Sequence, residues 1–314
     1  MDVKPGVNIM KKTDFRQGVP STTYSIIAFD KDREEMGVAV QSHFFSVGSA
    51  VTWGEAGVGV VATQSIANLN FGPRGLNYLG EGISPEKTLS LLLESDPGRD
   101  YRQAGCCNAI GEMAVYTGSM CIPEAGHIKG ANYTVQANMM LNESVWPAMA
   151  DTFEHTEGAL ADRMLAALKA AEAEGGDIRG KQSAAILVVK TYETGDVETD
   201  RVLELRVEDH PSPLDELQRL LILHKAYRQL SAGDEELGKG NRESALSAYE
   251  TAMALAPDNL EVRYWYAISL ANSGDLEKAS DLLGDIYRKD ENWKELTRRL
   301  PGCGLLTVNE NLPG

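Results

Sequence analysis

The most constraining feature of this 314-residue sequence is an internal repeat near its C-terminal end. Residues 226–259 and 260–293 align as two copies with a 34-residue period. Matched positions carry the same glycine or a small or apolar residue: Gly240 with Gly274, Ala245 with Ala279, Tyr249 with Leu283, and Ala252 with Ile286. Small side chains let paired helices approach closely, so the period predicts two helical hairpins, the first ending at Pro257.

The repeat resembles the tetratricopeptide repeat (TPR) in its period and its small-residue positions. Two copies cannot bury a continuous solenoid core by themselves. We therefore expect them to pack on the amphipathic segment 214–230 before them and on residues 293–300 after them. What the resemblance implies is a site for a peptide or protein partner.

The first two-thirds of the chain mix strand and helix patterns. Strand-like segments are β-branched and apolar: 23–30, 37–45, 51–63, 104–117 with a turn at Gly111, 134–141, 183–191 and 202–209. Helical patterns follow cap signals and apolar stripes: 72–79, 84–93 and 159–173. Because strands and helices are segregated rather than strictly alternating, the pattern favours a layered α+β domain over a doubly wound parallel sheet.

Charge and hydropathy exclude several classes of protein. The formal net charge is −16, whereas sequence-independent nucleic-acid binding needs clustered Lys and Arg. No window approaches the ~18 consecutive apolar residues of a membrane span. The N-terminal segment lacks the apolar core of a secretory signal. We expect an acidic, cytoplasmic protein that binds neither nucleic acid nor membrane.

The four cysteines indicate no disulfide framework. Neighbouring Cys106 and Cys107 would project to opposite faces of a strand, so they suit neither a compact metal site nor a shared bridge. Cys121 and Cys303 stand alone. The histidines lack the spacings of a zinc site. We expect reduced, buried thiols, no metal and no cofactor.

A dinucleotide-binding motif has little support in the sequence, and the motif of one class of serine hydrolases is missing. Residues 57–62 fit the dinucleotide pattern G-x-G-x-x-A, but they lie inside an apolar strand-like run rather than between a strand and a helix. No G-x-S-x-G elbow is present, so a serine hydrolase has no local support.

The turn 68–75 combines a helix start with a cation. Arg74 in the first helical turn could hold a carboxylate or phosphate with exposed N–H groups, or Asn70 could cap the helix and leave Arg74 solvated. The polar loop 175–183 feeds a buried strand, and such loops often carry functional groups.

Several separate blocks of the chain resemble one bacterial and archaeal family, uncharacterised and assigned to the N-terminal-nucleophile (Ntn) hydrolase-like fold. The blocks spread over residues 22–225: the start TYSI, GVAVQSHFFSVG, VATQSIAN, FGPRGL, DPGRD, YTGSMC, AGH and GGDIRGKQSAAILVV. The resemblance implies a four-layer αββα sandwich, closed by DHPSPLDELQRLL. The predicted division is a flexible leader 1–21, this domain 22–225, TPR-like helices 226–300 and a tail 301–314.

The resemblance also implies amidohydrolase chemistry. In Ntn hydrolases a terminal Thr, Ser or Cys attacks the carbonyl, and its own α-amine, with a pKa of about 7.7–8.0, accepts the proton. The matching residue here is Thr23. The pocket would be lined by residues of the next two strands, with Arg74 holding a substrate carboxylate: Gln41, Ser42, His43, Thr63 and Gln64.

Thr23 departs from the family pattern because 22 residues precede it. A peptide bond on its nitrogen leaves no basic amine, so three alternatives stay open: the leader is removed, translation starts elsewhere, or the domain is not such an enzyme. The alternative function is a non-catalytic protein that binds a small ligand or acts as a scaffold through the TPR pair. Homo-oligomerisation is a further open alternative.

Overall fold

The computed structural model describes residues 19–21 and 23–308. The chain divides into two compact units between Gln218 and Arg219. The first unit is mixed α/β with two sheets, and the described part of the second is all-helical, as predicted. The finer domain limits stay predictions: most of the predicted leader lies outside the described residues, and residue 225 lies within the helix Pro213–Gly238.

The strands of the first unit form two antiparallel sheets. In chain order they are β1 (Val19–Ser21), β2 (Tyr24–Asp30), β3 (Glu35–Ser42), β4 (Thr52–Glu55), β5 (Gly59–Ala67), β6 (Arg102–Asn108), β7 (Met113–Thr117), β8 (Gly126–Lys129), β9 (Tyr133–Ala137), β10 (Ser183–Lys190) and β11 (Leu203–Val207). The first sheet has the order β1-β5-β6-β7, with β4 also paired to β5. The second has the order β11-β10-β3-β2-β9-β8.

Helices cover the sheets and build the second unit. They are α1 (Gly48–Val51), α2 (Phe71–Gly80), α3 (Pro85–Glu94), α4 (Val145–His155), α5 (Leu160–Ala173), α6 (Val197–Asp200), α7 (Pro213–Gly238), α8 (Arg242–Leu255), α9 (Leu260–Ser273), α10 (Leu276–Lys289) and α11 (Asn292–Arg299). α2 and α3 contact strands of the first sheet, and α4 and α5 contact strands of the second. Strands of the two sheets also contact each other.

Side-chain alternation explains how both faces of a strand are buried. In β5, Val60 belongs to the apolar core between the sheets, and Val61 packs with the side chains of α2 and α3. In β6, Cys107 belongs to the apolar core between the sheets, and Cys106 belongs to the core beneath α2 and α3. The prediction that adjacent cysteines lie on opposite faces of a strand is therefore confirmed.

Three sequence predictions for this unit need correction. The strand expected over 51–63 is a hairpin of β4 and β5, with Gly57 in a left-handed conformation (φ 72°) in the turn. Gly57 therefore precedes a strand instead of opening a helix, which removes the geometry of a dinucleotide motif. The strand expected over 37–45 ends at Ser42, and the strand expected over 134–141 ends at Ala137. Strand β8 and helix α4 were not predicted, because neither shows a long periodic apolar pattern.

The second unit has the predicted packing. Repeat positions Ala245, Ala279 and Leu283 are buried in one core with Ala226 and Leu230 of α7. The Trp293 ring lies 4.8 Å from that of Tyr264, measured between centroids. The repeats thus pack on the preceding helix and the following segment, as two copies alone would require.

Candidate functional site

The interior between the two sheets changes from apolar to polar along the strands. Ile27, Val38 and Val60 lie in the apolar part. Toward the start of β2 the buried side chains are amides and hydroxyls, a set we call the polar layer: Ser25, Gln64, Gln103, Thr134, Gln136 and Asn138. Burying amides costs free energy unless they are hydrogen-bonded, so the partners of this layer matter.

Thr23 lies against the polar layer. It is fully buried and immediately precedes β2. Its carbonyl oxygen accepts from the backbone N–H of Asn138 (3.1 Å), from Asn138 Nδ2 (3.3 Å) and from Gln64 Nε2 (3.2 Å). Both sheets contribute, since Gln64 belongs to β5 and Asn138 follows β9. The backbone of Thr23 is therefore fixed between the sheets.

The remaining members of the polar layer bond to one another. Ser25 Oγ donates to Gln64 Oε1 at 2.5 Å, and Gln136 Nε2 donates to Ser25 Oγ at 2.6 Å. Gln103 Oε1 accepts from Gln64 Nε2 (2.7 Å) and Asn138 Nδ2 (2.9 Å). Connected buried hydrogen bonds fix side-chain orientation, and losing one leaves its partners unsatisfied.

The polar layer continues toward solvent through Thr117 and His127. Gln103 Nε2 donates to Thr117 Oγ1 at 2.9 Å, and Thr117 Oγ1 lies 2.8 Å from His127 Nδ1. Partial burial lowers the pKa of His127, which favours the neutral imidazole. A neutral ring can accept a hydrogen bond from the hydroxyl of Thr117. A chain of hydrogen bonds therefore connects the carbonyl of Thr23, through Gln64, Gln103 and Thr117, to His127.

Strand alternation separates two predicted site residues. Gln64 faces the space between the sheets and contacts Thr23. Its neighbour Thr63 faces the other side of β5, where Thr63 Oγ1 donates to the carbonyl of Asn68 at 3.2 Å. Of these two residues, Gln64 contacts Thr23 and Thr63 does not.

Gln41 is placed on the helix-covered face of the second sheet. Its register partner Tyr24 points toward α5, where Tyr24 Oη donates to Glu172 Oε2 at 2.8 Å. Burial, reinforced by Glu172, raises the pKa of Tyr24 well above its usual value. The Gln41 side chain is fully buried, and neither Nε2 nor Oε1 has a hydrogen-bond partner among the described residues.

Ser42 and His43 lie where β3 ends. Ser42 is fully buried and pairs with Ser183 of β10, whereas His43 is exposed. The backbone N–H of His43 donates to Asp177 Oδ2 at 3.2 Å. Asp177, in the polar loop that the sequence singled out, also accepts from Arg179 Nη2 at 2.7 Å. This loop is thus held against the end of β3.

Arg74 lies in helix α2, and no described contact joins it to the polar layer. Its Nη2 donates to Tyr78 Oη at 3.2 Å within the same helix. Asn70 stands at the N-cap position without a capping bond from its side chain. The helix cap by Asn70 that one alternative expected is therefore not formed.

A buried ion pair supports the end of β5. Arg102 Nε lies 2.8 Å from Asp96 Oδ2, and both side chains are 4% exposed. Burial opposes ionisation of Asp96, but bonds from Arg102 and Asn68 outweigh it, so its pKa is lowered. Arg102 Nη1 also donates to the carbonyl of Ile66. Next to it, Ser65 is buried with φ 72°, a strained conformation of the kind found at functional sites.

Sequence reasoning missed most of the polar layer. Ser25 and Gln103 lie in strands whose other inward residues are apolar or glycine, whereas Gln136 shares the inward face of β9 with Thr134 and Asn138 follows that strand. A polar residue at an inward position of a buried strand was the available signal, because such a residue needs a partner from another strand. That partner is set by the register between strands, which one sequence does not reveal.

The described residues contain no His, Cys, Asp and Glu group able to hold a metal ion. They also include no helix that is long and apolar enough to span a membrane. A surface pocket of about 150 Å³ lies at the opposite end of β5, beside Gly54 and Arg201. None of the predicted site residues lines it.

Comparisons with known proteins identify the family. The model of a family of unknown function, DUF1028, matches residues 23–217, and a tetratricopeptide-repeat model matches residues 236–300. The chain therefore belongs to the DUF1028 family and carries a TPR-type region after the family domain. A crystal structure of a Silicibacter pomeroyi protein of the same family is similar, with 32% identity and a TM-score of 0.58. The similarity covers 64% of this chain and 85% of that one. A comparison with curated proteins found no match.

Proposed function

We propose that the first unit is an amide hydrolase whose nucleophile is Thr23, active once the residues before it are removed. The observation that carries the proposal is the position of Thr23: fully buried, at the start of β2, with its carbonyl bonded by Gln64 and Asn138 from two sheets. A fixed backbone at this residue would hold both the hydroxyl and a freed α-amine in place. Fixed geometry of this kind lowers the entropic part of a reaction barrier.

The proposed chemistry needs two steps. Thr23 Oγ attacks the amide carbonyl, its proton passes to the α-amine, and the C–N bond breaks as that proton moves to the leaving nitrogen. Water then cleaves the resulting ester, which releases the carboxylate and restores the hydroxyl. Because an α-amine has a pKa of about 7.7–8.0, the rate should rise with pH and level off above about pH 8.

We further propose that the packing of two helices, two sheets and two helices is the αββα sandwich of Ntn-hydrolase-like proteins. The contacts of α2 and α3 with one sheet and of α4 and α5 with the other support it. In this proposal Gln64 positions Thr23, and Ser42 and His43 mark one end of the site. Thr63, Gln41 and Arg74 would contribute only if substrate reaches other faces of the sheets.

The experiment is a hydrolysis assay of the natively expressed chain with a panel of fluorogenic amides. A Thr23→Ala variant should lose at least about 1,000-fold in kcat/KM, while Thr23→Ser keeps a hydroxyl and should retain measurable activity. Full hydrolysis by Thr23→Ala would contradict the proposal.

A second candidate function is protein recognition by the second unit. The TPR-type match over residues 236–300 favours it, because helical repeats of this class present extended binding surfaces. Partly exposed apolar side chains, Ile222 and Tyr227 of α7, add contact area. Cross-linking of wild type and an Ile222→Glu, Tyr227→Glu variant tests it. Loss of cross-linked partners with unchanged hydrolysis supports a separate recruiting role; an unchanged set of partners removes this face from the proposal.

A further inference from the structure

Residues 19–21, a little before Thr23 in the sequence, form a strand on the first sheet. β1 pairs antiparallel with the end of β5, in the register Val19 with Ala67, Pro20 with Ile66 and Ser21 with Ser65. Three residues after Ser21, at Tyr24, the chain enters β2 of the second sheet. Residues 19–21, on the acyl side of Thr23, are therefore an edge strand of one sheet, and Thr23 immediately precedes β2 of the other.

The part of β5 that receives β1 is held from its other side. The buried Arg102 bonds both Asp96 and the carbonyl of Ile66. Asn68 Nδ2 donates to Asp96 Oδ2 at 2.9 Å, which fixes the chain just after β5. None of these contacts involves β1. The edge Ser65–Ala67 thus has supports of its own and does not need β1 to hold its shape.

The sequence of β1 is that of a strand held weakly at the edge of β5. A strand of three residues offers few hydrogen bonds, and Pro20 has no backbone N–H. Proline is tolerated at a sheet edge for this reason. Once residues before Thr23 are removed, the backbone of Ser65–Ala67 would be an open edge able to pair with another strand.

We infer that the substrate of the Thr23 site is an extended peptide, whose acyl side pairs with Ser65–Ala67 as β1 does. The inference rests on the proposed function. The carbonyl that Thr23 attacks must lie beside its hydroxyl, and in the uncut chain the acyl group bonded to the nitrogen of Thr23 leads back into β1. The acyl part of a substrate would then continue along the path of β1, with backbone bonds giving affinity and side-chain pockets giving specificity.

The chemistry is that of the proposed hydrolysis with a defined acyl group. The C–N bond on the carboxyl side of the peptide breaks, the amine leaves with the proton taken from Thr23, and water converts the peptidyl ester to a peptide carboxylate. No metal or redox partner enters the balance.

The test uses the natively expressed chain in the form that begins at Thr23, with four fluorogenic aminomethylcoumarin amides. The first is acetyl-Gly-Val-Pro-Ser-Thr amide, which copies residues 18–22. The second carries N-methyl groups on Val and Ser, so its paired segment has no N–H donor. The third is methylated on Gly only, outside the paired segment, as the matched control. The fourth is acetyl-Thr amide, which has no strand to pair.

We expect kcat/KM for the first peptide to exceed that for acetyl-Thr amide by about 10-fold or more, the effect of two backbone hydrogen bonds. Double methylation should reduce it to the level of acetyl-Thr amide, and methylation of Gly should change it less than about threefold.

Two results would overturn the inference, and they differ in what else they remove. Equal hydrolysis of acetyl-Thr amide and the peptide, abolished in Thr23→Ala, would reject the peptide substrate and leave the hydrolase. No hydrolysis of the four by the form beginning at Thr23 would reject the inference, and no hydrolysis of the wider fluorogenic amide panel as well would reject the proposed function.

Discussion

The interiors of the two units are built differently. In the described part of the chain, the buried polar residues of the second unit are Ser269 and Thr297, while the first unit buries polar side chains from β2, β3, β5, β6, β9 and β10. The second unit fills its core with apolar and aromatic residues such as Leu283 and Tyr264. The first unit has a comparable apolar core, but it ends in the polar layer at Thr23.

This difference indicates where chemistry belongs. A buried amide contributes little net stability when satisfied and costs much when it is not, so packing alone gives no reason to keep one. The hydrogen bonds of the polar layer orient the backbone of Thr23, whereas the apolar core of the second unit holds its helices together. We therefore propose that reaction chemistry belongs to the first unit and partner recognition to the second.

The largest expected difference between the units is the stability lost when an ion pair is broken. Replacing Arg102 with Met leaves the 4%-exposed Asp96 without its cation, and we expect a loss of about 3–5 kcal/mol in the free energy of unfolding. The matched control is Arg298→Met in the second unit, where the pair with Glu295 is largely exposed and the loss should stay below about 1 kcal/mol. Chemical denaturation measures both. Equal losses of stability in the two variants would contradict the description of the Arg102–Asp96 pair as buried and the Arg298–Glu295 pair as exposed.

An apolar truncation tests the core of the second unit. Leu283→Ala removes a fully buried side chain of the repeat and should cost about 2–5 kcal/mol. Hydrogen exchange should show the loss in α8, α9 and α10 and leave β2 and β5 unchanged. Faster exchange at the polar layer would show that the two interiors are not independent.

Gln64→Met tests whether the polar layer serves position more than stability. The volume is similar, but Thr23, Ser25 and Gln103 each lose a hydrogen bond. We expect about 1–3 kcal/mol of destabilisation and a fall of about 100-fold in kcat for amide hydrolysis, because Thr23 is less well held. Thr63→Val, one residue away on the other face, is the control and should leave kcat within about threefold. Equal activity losses in both variants would remove Gln64 from the site.

The smallest effect concerns the thiols. Burial raises the pKa of Cys107 to about 12 and that of Cys106 further, so neither forms a thiolate near neutral pH. Cys303, at the end of the second unit, is exposed. Iodoacetamide at pH 8 should label Cys303 in the native chain and leave Cys106 and Cys107 unlabelled, as peptide mass spectrometry would show. Labelling at Cys106 would mean that the sheet interior opens.

The repeats and most strands could be predicted because their signals are local. A 34-residue period locates Ala245 and Ala279 in the core, and alternation locates Cys106 and Cys107 on opposite faces. The hairpin of β4 and β5 was missed because its turn, residues 56–58, contains no polar residue and Glu55 is the one charged residue in the run 51–63.

The candidate site could be predicted only in part. Thr23 came from the family resemblance, and Gln64 was a prediction from the neighbouring strand. Gln103, Gln136 and Asn138 meet through register between strands that are distant in sequence, as in the pair Gln64–Gln103. Polar residues in buried strands are visible in one sequence, but their partners are not.

The proposed hydrolysis requires that Thr23 becomes the first residue of the working protein. Intact-mass spectrometry with N-terminal sequencing of the natively expressed chain tests it most directly. We predict a species that begins at Thr23 and that alone hydrolyses amides. A protein that retains its leader entirely, and that hydrolyses amides in that state, would contradict the account.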